Sequence, residues 1–278
     1  PMIVDLIVPV QPESNRPPWP AEGYAISLAS LFGAHVTGIV PSYGHAISGM
    51  VRAEIPAELI EEIQRRSDEA GRTALTAFQK RASDAGVMHQ DLALRCGPAE
   101  FADAFARKAR TADLAIVPQP EAGLWERELV EAALFESGRP ALVVPYIHRG
   151  DARLDRVLVA WDGSKEAARA VHDALPLVRR AKEVEVLTIY TEKHRSDDLI
   201  PGADLATHLS RHGLQVTAKA LDGDNIEVAD VLLSHVADAA VDLIVMGGYA
   251  HSRLRHLVFG GATSGILNSM TAPVLMAH

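Results

Sequence analysis

Cysteine is almost absent from this 278-residue sequence, which contains Cys96 alone. A single cysteine excludes an intramolecular disulfide and any metal site that is built on a cysteine cluster. Chains without disulfides are typical of reducing compartments. The sequence therefore predicts a cytoplasmic protein.

Aromatic residues, positive charge and long apolar runs are also scarce. Aromatics make up 5% of the chain, which disfavours stacking on nucleic-acid bases. The formal net charge is −9 at pH 7, which disfavours contact with a phosphate backbone. No apolar run approaches the roughly 20 residues that a membrane helix needs, and the first eleven residues include Asp5 and no basic leader. We therefore expect no nucleic-acid partner, no membrane span and no secretion signal.

The sequence does contain an internal repeat. Four short apolar segments of the first half recur in the same order in the second half, and their β-branched composition is typical of buried strands. The pairs are residues 3–10 and 154–161, 34–40 and 183–189, 113–118 and 242–247, and 140–145 and 273–276. The repeat indicates two copies of one structural unit.

Helical patterns lie between these segments, at residues 21–32, 56–85, 99–110, 165–181, 204–211 and 226–239. Alternating strands and helices predict an α/β fold of two tandem doubly wound, Rossmann-like units, each with a five-stranded parallel sheet. The repeat locates four of the five strands in each half.

The polar segment 146–154 separates the halves and predicts domains at 1–147 and 153–278. The first domain carries the long helix 56–85 as an inserted element. Duplication favours an intramolecular pseudo-dimer. The terminal strand 273–276 is a candidate for pairing between domains or between the chains of a homodimer.

Candidate ligand-binding residues follow the strands of the second half, because open parallel sheets bind ligands beyond the carboxyl ends of their strands. The strand at 154–161 is followed by Asp162, Gly163 and Ser164. Asp162 offers an acceptor to a ligand hydroxyl or base amine. Alternatively, Ser164 or Asp162 serves only as the N-cap of the next helix.

A glycine-rich loop follows the strand at 242–247, and an apolar stretch at 266–270 indicates a helix after it. The loop and the start of that helix contain glycines at 247, 248, 260, 261 and 265, positive or imidazole side chains at His251, Arg253, Arg255 and His256, and hydroxyls at Thr263 and Ser264. Unpaired backbone N–H groups at a helix start, with nearby positive charge, indicate an anion site. The alternative is a solvated surface loop that only connects strand to helix.

These features resemble the universal stress protein family over essentially the whole chain. In that family an Asp-Gly-Ser turn follows the first strand, and a Gly-x2-Gly-x9-Gly-[Ser/Thr] loop wraps a nucleotide triphosphate. The second half keeps this spacing at Gly247, Ala250, Gly260 and Gly261, but Ala250 replaces a glycine and Gly261 replaces the hydroxyl residue. Alanine at a position with positive φ costs on the order of 1 kcal/mol, which predicts a weakened or altered nucleotide site.

The resemblance implies that the second half binds ATP, ADP or AMP, with Mg²⁺ as a candidate companion ion, in a regulatory or protective stress response. It implies that Asp162 and Ile189 flank the adenosine and that Met246 and Gly247 close over it. The backbone at Gly260, Gly261 and Ala262 is expected to bind phosphate, and Thr263 can substitute for the missing hydroxyl. The set of site residues is completed by Ala160, Ala250, His251 and Arg253.

The first half lacks these features. Gln11 stands where the second half has Asp162, and the segment after residue 118 has one glycine and several carboxylates, which would repel phosphate. We therefore expect a degenerate first half that keeps the fold without the nucleotide site. Two alternatives stay open for the whole chain: an interaction scaffold that binds no nucleotide, and a slow ATP hydrolase that uses His251 or Asp162.

Overall fold

The computed structural model describes residues 2–12, 16–42, 57–120, 124–190, 202–223, 226–248 and 261–278. The strands of the first half are β1 Asp5–Pro9, β2 His35–Ser42, β3 His89–Arg95, β4 Leu114–Pro118 and β5 Ala141–Val144. Those of the second half are β6 Arg156–Ala160, β7 Glu183–Tyr190, β8 Val216–Asp222, β9 Leu243–Gly247 and β10 Val274–Ala277. The helices are α1 Pro20–Phe32, α2 Ala57–Asp84, α3 Phe101–Ala109, α4 Leu124–Phe135, α5 Lys165–Val178, α6 Ala203–Arg211, α7 Val228–Asp238 and α8 Gly261–Ser269.

The strands form one ten-stranded sheet in the order β3-β2-β1-β4-β5-β10-β9-β6-β7-β8. Pairing is parallel within each half, and the strand order of the second half mirrors that of the first. The halves meet at an antiparallel pair of β5 and β10, in which Leu142 lies opposite Leu275. These leucines are equivalent in the repeat, so the register is symmetric about them. The predicted α/β class, with five parallel strands in each half, is confirmed.

Helices cover both faces of this sheet. Helices α1, α2, α5 and α6 pack on one face, and α3, α4, α7 and α8 pack on the other. Successive side chains along a strand therefore belong alternately to the two apolar layers. Leu6 and Val8 of β1 enter the first layer, whereas Ile7 enters the second. Each layer contains residues from both halves of the chain, so the hydrophobic core is continuous across the β5–β10 pair.

Polar contacts also join the halves. The side chain of Gln119 is buried; its Nε2 donates to the Leu267 carbonyl at 2.8 Å and its Oε1 accepts the Tyr146 N–H at 3.1 Å. On the other face, the guanidinium of Arg180 lies 5.0 Å from the centroid of the Phe32 ring. Because β10 pairs with β9 and with β5, this strand joins the two halves and is not an edge strand at which a second chain could pair.

Three elements were not located by the sequence patterns. Strands β3 and β8 lie at the two sheet edges, and most of their side chains are exposed or half-buried, so they lack the apolar runs that mark the inner strands. Helix α4 lies in the acidic segment after residue 118, for which no helix was predicted. No helix in the described ranges is long and apolar enough to span a membrane.

Candidate functional site

The carboxyl ends of β6, β7 and β9 lie side by side, because β6 pairs with both of the other strands. Ala160, the last residue of β6, lies opposite Leu187 of β7 and Met246 of β9. Ile189 follows Leu187 by two residues, and Gly247 follows Met246 directly. Four predicted site residues, Ala160, Ile189, Met246 and Gly247, are thus at one edge of the sheet.

Asp162 and Ser164 form the turn from β6 into α5. Asp162 Oδ1 accepts the N–H of Ser164 at 2.9 Å, and Ser164 Oγ accepts the N–H of Ala167 at 3.1 Å. Gly163, between them, has a φ of +76°, a left-handed conformation that favours glycine. Ser164 is therefore the N-cap of α5. Asp162 is exposed, and its Oδ2 has no hydrogen-bond partner within the described ranges.

Gly247 packs directly on the first turn of α5. A Cβ atom at this position would lie 2.6 Å from the backbone nitrogen of Ala167 and 2.9 Å from the carbonyl carbon of Glu166. At the next residue, Gly248, the Cβ would lie 2.7 Å from Leu134 Cδ2, the end of a side chain. Packing against backbone atoms is thus sufficient to explain Gly247.

The first turn of α8 is open at Gly261. No described atom lies within 4 Å of the position that a Cβ would take on this residue. Ala262 is half-buried and Thr263 is buried, and the Cβ of Gly265 would lie only 2.6 Å from Ala229 Cβ on α7. The first N–H groups of an α-helix lack acceptors within the helix and carry partial positive charge. The start of α8 is therefore suited to an anion.

Four other predicted site residues, Ala250, His251, Arg253 and Gly260, lie outside the described residues. Their roles stay predictions. Helix α8 begins at Gly261, five residues before the apolar stretch from which the helix was predicted. Gly261, Ala262 and Thr263 therefore belong to the first turn of the helix.

Thr188 on β7 was not identified from the sequence. Its side chain is 8% exposed, and its Oγ1 has no hydrogen-bond partner among the described residues. The nearby Gly202 has a φ of +84°, and a Cβ there would lie 3.4 Å from Thr188 Oγ1 and 3.7 Å from Trp161 Cδ1. An unpaired buried hydroxyl is costly unless something satisfies it. A threonine within a β-branched strand gives no sequence signal for such a role.

In the first half, the corresponding sheet edge is filled by protein side chains. Gln11, which takes the place of Asp162, is buried and donates its backbone N–H to Glu22 Oε1 at 3.0 Å. Glu22 is 1% exposed, also accepts the Trp19 N–H at 3.1 Å, and pairs with Arg81. Desolvation raises the pKa of the Glu22 carboxyl, although these hydrogen bonds and the Arg81 charge act to lower it.

The connection after the fourth strand also differs between the halves. Five residues separate β4 from α4, whereas thirteen separate β9 from α8. The first half therefore has a much shorter segment with which to surround a ligand at this edge.

Comparison with known proteins identifies the second half. Residues 153–278 match the model of the universal stress protein family. Universal stress protein Slr1230 of Synechocystis sp. is 29% identical over 141 residues, which are 49% of this chain and 46% of that protein. The match thus spans about half the length of that relative.

Solved structures share the fold along nearly the whole chain. A universal stress protein from Archaeoglobus fulgidus has a TM-score of 0.74 at 14% identity, with 98% of this chain and 95% of that chain covered. A protein of unknown function from Pseudomonas aeruginosa has a TM-score of 0.56 at 12% identity, with 98% and 92% covered. At these identities the likeness concerns the fold alone. Residues 153–278 thus match the universal stress protein family, and the fold along the chain resembles that of a solved universal stress protein.

Proposed function

We propose that this chain binds an adenine nucleotide in its second half and acts in a stress response by regulation or protection, not by catalysis. One observation supports the proposal: Asp162, with Oδ2 unpaired within the described ranges, follows the carboxyl end of β6, which lies beside the carboxyl end of β9. The chain returns from that end of β9 to the parallel strand β10 through α8, whose first turn is open at Gly261. An aspartate suits a ribose hydroxyl or base amine, and a helix start suits phosphate. The unpaired hydroxyl of Thr188 at the same end of β7 offers a further polar contact.

The described residues contain no group of three His, Cys, Asp or Glu side chains that could hold a metal ion. In this proposal Mg²⁺ therefore enters with the nucleotide, held mainly by the phosphates and by water, as is usual for this ion. The binding residues outside the described ranges, Ala250, His251, Arg253 and Gly260, complete the proposed site from the loop before α8.

We further propose domain boundaries at 1–147 and 153–278, with the halves arranged as an intramolecular pseudo-dimer. The mirrored strand order and the symmetric Leu142–Leu275 register support this arrangement. The buried Glu22 at the carboxyl edge of β1 supports a first half that has no nucleotide site. A homodimer would need a surface other than β10, and cytoplasmic localisation stays a prediction.

The nucleotide proposal is tested by isothermal titration with ATP, ADP and AMP, with and without Mg²⁺, on the full chain and on Gly261→Glu. The new carboxylate would stand in open space at the first turn of α8, where an acidic side chain does not disfavour the helix. It would repel phosphate, and we expect affinity for ATP to fall at least about tenfold. Asn268→Glu is the matched control, because it adds the same charge to an exposed position near the other end of α8.

Equal loss of affinity in both variants would indicate a general charge effect and would contradict phosphate binding at α8. The interaction-scaffold alternative is favoured by the packing of Gly247 against the backbone of α5, which requires no ligand. It predicts no heat with any of the three nucleotides. It also predicts no small molecule in the mass spectrum of material released when the purified protein is denatured.

A further inference from the structure

Gly248, the residue that follows β9, is held from three sides. Its N–H donates to the Ala277 carbonyl at 2.9 Å, and its own carbonyl accepts from His278 Nδ1 at 3.1 Å. The third contact comes from the first half, because a Cβ on Gly248 would lie 2.7 Å from Leu134 Cδ2 on α4. Leu134 is itself buried in the apolar layer of that face. The position of Gly248 thus depends in part on the other half of the chain.

The next residue of α4, Phe135, contacts His278. The two rings meet edge to face, with their centroids 4.8 Å apart and an angle of 80° between their planes. Aromatic rings favour this arrangement. Phe135 therefore supports the imidazole whose Nδ1 donates to the Gly248 carbonyl. The end of α4 acts on Gly248 directly through Leu134 and indirectly through Phe135.

The antiparallel pair of β5 and β10 explains why the first half reaches this place. In a unit of parallel strands, a connecting helix starts near the carboxyl end of one strand and ends near the amino end of the next. Helix α4 therefore ends near the amino end of β5. That end of β5 lies beside the carboxyl end of β10, since Ala141 is opposite Met276. The last turn of α4 is thus brought to the carboxyl edge of the second half.

The reverse contact, of the second half on the first, is built differently. Gln119 is the equivalent of Gly248: each follows the fourth strand of its half and donates its N–H to the last residue of the fifth strand, at 2.8 and 2.9 Å. The buried side chain of Gln119 donates to the Leu267 carbonyl near the end of α8 and accepts the Tyr146 N–H. In the first half, side-chain hydrogen bonds therefore hold this point directly.

The aromatic support is specific to the half in which the nucleotide site is proposed. Counted from the proline that precedes the fifth strand of each half, Phe135 corresponds to Asn268, and His278 corresponds to Pro145. Asparagine and proline cannot form an aromatic pair. The repeat has therefore diverged at the contact between each fourth helix and the opposite half.

We propose that the last turn of α4 positions the nucleotide loop of the second half, with Leu134 and Phe135 as positioning residues and His278 as the link to Gly248. Residues 249–260, which follow Gly248, contain most of the family's loop, so a shift of Gly248 changes where that segment starts. By linkage, a nucleotide that favours one position of Gly248 must in turn affect α4. This role rests on the proposed nucleotide function, and it makes the first half a regulator of the second.

The first test measures ATP affinity by isothermal titration of the full chain and of Phe135→Ala. We expect about threefold to tenfold weaker binding in the variant, because it lacks the ring beside His278. Phe135→Tyr keeps the ring and should restore the affinity of the unchanged protein. Leu31→Ala is the matched control, since Leu31 and Phe135 are both 36% exposed at helix ends of the first half, and α1 packs on the opposite face of the sheet.

The second test needs no nucleotide. Hydrogen exchange followed by NMR measures how often the N–H of Gly248 is released from the Ala277 carbonyl. We expect this N–H to exchange at least about threefold faster in Phe135→Ala than in the unchanged protein. The N–H of Gln119, the equivalent group in the first half, should exchange at the same rate in both.

The proposal is overturned if Phe135→Ala binds ATP as tightly as the unchanged protein, if Leu31→Ala loses as much affinity, or if exchange at Gly248 is unaltered. If the unchanged protein binds no nucleotide, the proposed function fails. The exchange rates then decide by themselves whether α4 positions Gly248.

Discussion

Replacing Gly247 by alanine should destabilise the fold even when no nucleotide is present. The added Cβ would lie 2.6 Å from the Ala167 nitrogen and 2.9 Å from the Glu166 carbonyl carbon. Both contacts are backbone atoms of the first turn of α5, which cannot move aside as the end of a flexible side chain can. Overpacking of this kind typically costs about 1–3 kcal/mol.

Gly261→Ala is the matched comparison, because it adds the same methyl group to the other glycine that the family loop places in the site. No described atom lies within 4 Å of that position. Alanine is a better helix former than glycine by up to about 1 kcal/mol, so this variant should be neutral or slightly more stable. The two substitutions are therefore expected to act in opposite directions on the free energy of unfolding.

Urea unfolding followed by far-UV circular dichroism, without nucleotide, measures both values. The loss in Gly247→Ala should appear as a lower urea midpoint with little change in slope. If Gly247 were a glycine only to let a ligand approach, Gly247→Ala would unfold at the same urea concentration as the unchanged protein. That result would refute the packing explanation.

Two further perturbations test local features. Ser164→Ala removes the N-cap of α5, so the free energy of unfolding should fall by about 1 kcal/mol in urea titrations, whereas Ser210→Ala, on an exposed face of α6, should change it little. Equal effects would contradict the capping role. Desolvation lowers the pKa of His148 in the folded protein below its ordinary 6.5. Below pH 6.5 the unfolded chain therefore takes up a proton at this residue before the folded protein does, and the fold loses stability as the pH falls. His148→Phe keeps an aromatic ring beside Tyr24 and should make the free energy of unfolding in urea less dependent on pH below 6.5. An unchanged pH profile would exclude this histidine as the source.

Much of the fold could be predicted from local patterns. The inner strands are continuous β-branched runs because helices cover both of their faces, and the repeat of four such runs predicted two tandem units. The edge strands β3 and β8 were not located, since a strand with one neighbour keeps polar side chains that resemble those of a loop. Helix α4 was not predicted, because it lies in a segment that is marked by its carboxylates and not by a repeated apolar pattern.

The sequence by itself determined the α/β class, the duplication and the sheet edge at which Asp162 and Gly247 lie, because these depend on periodicity and on residues that follow a strand directly. Only the tertiary structure decided why Gly247 is a glycine, since the atoms that confine it belong to α5, eighty residues earlier in the chain. The same holds for Glu22, whose partner Arg81 lies on another helix. Such contacts are set by distances between remote segments, and no local pattern in the sequence records them.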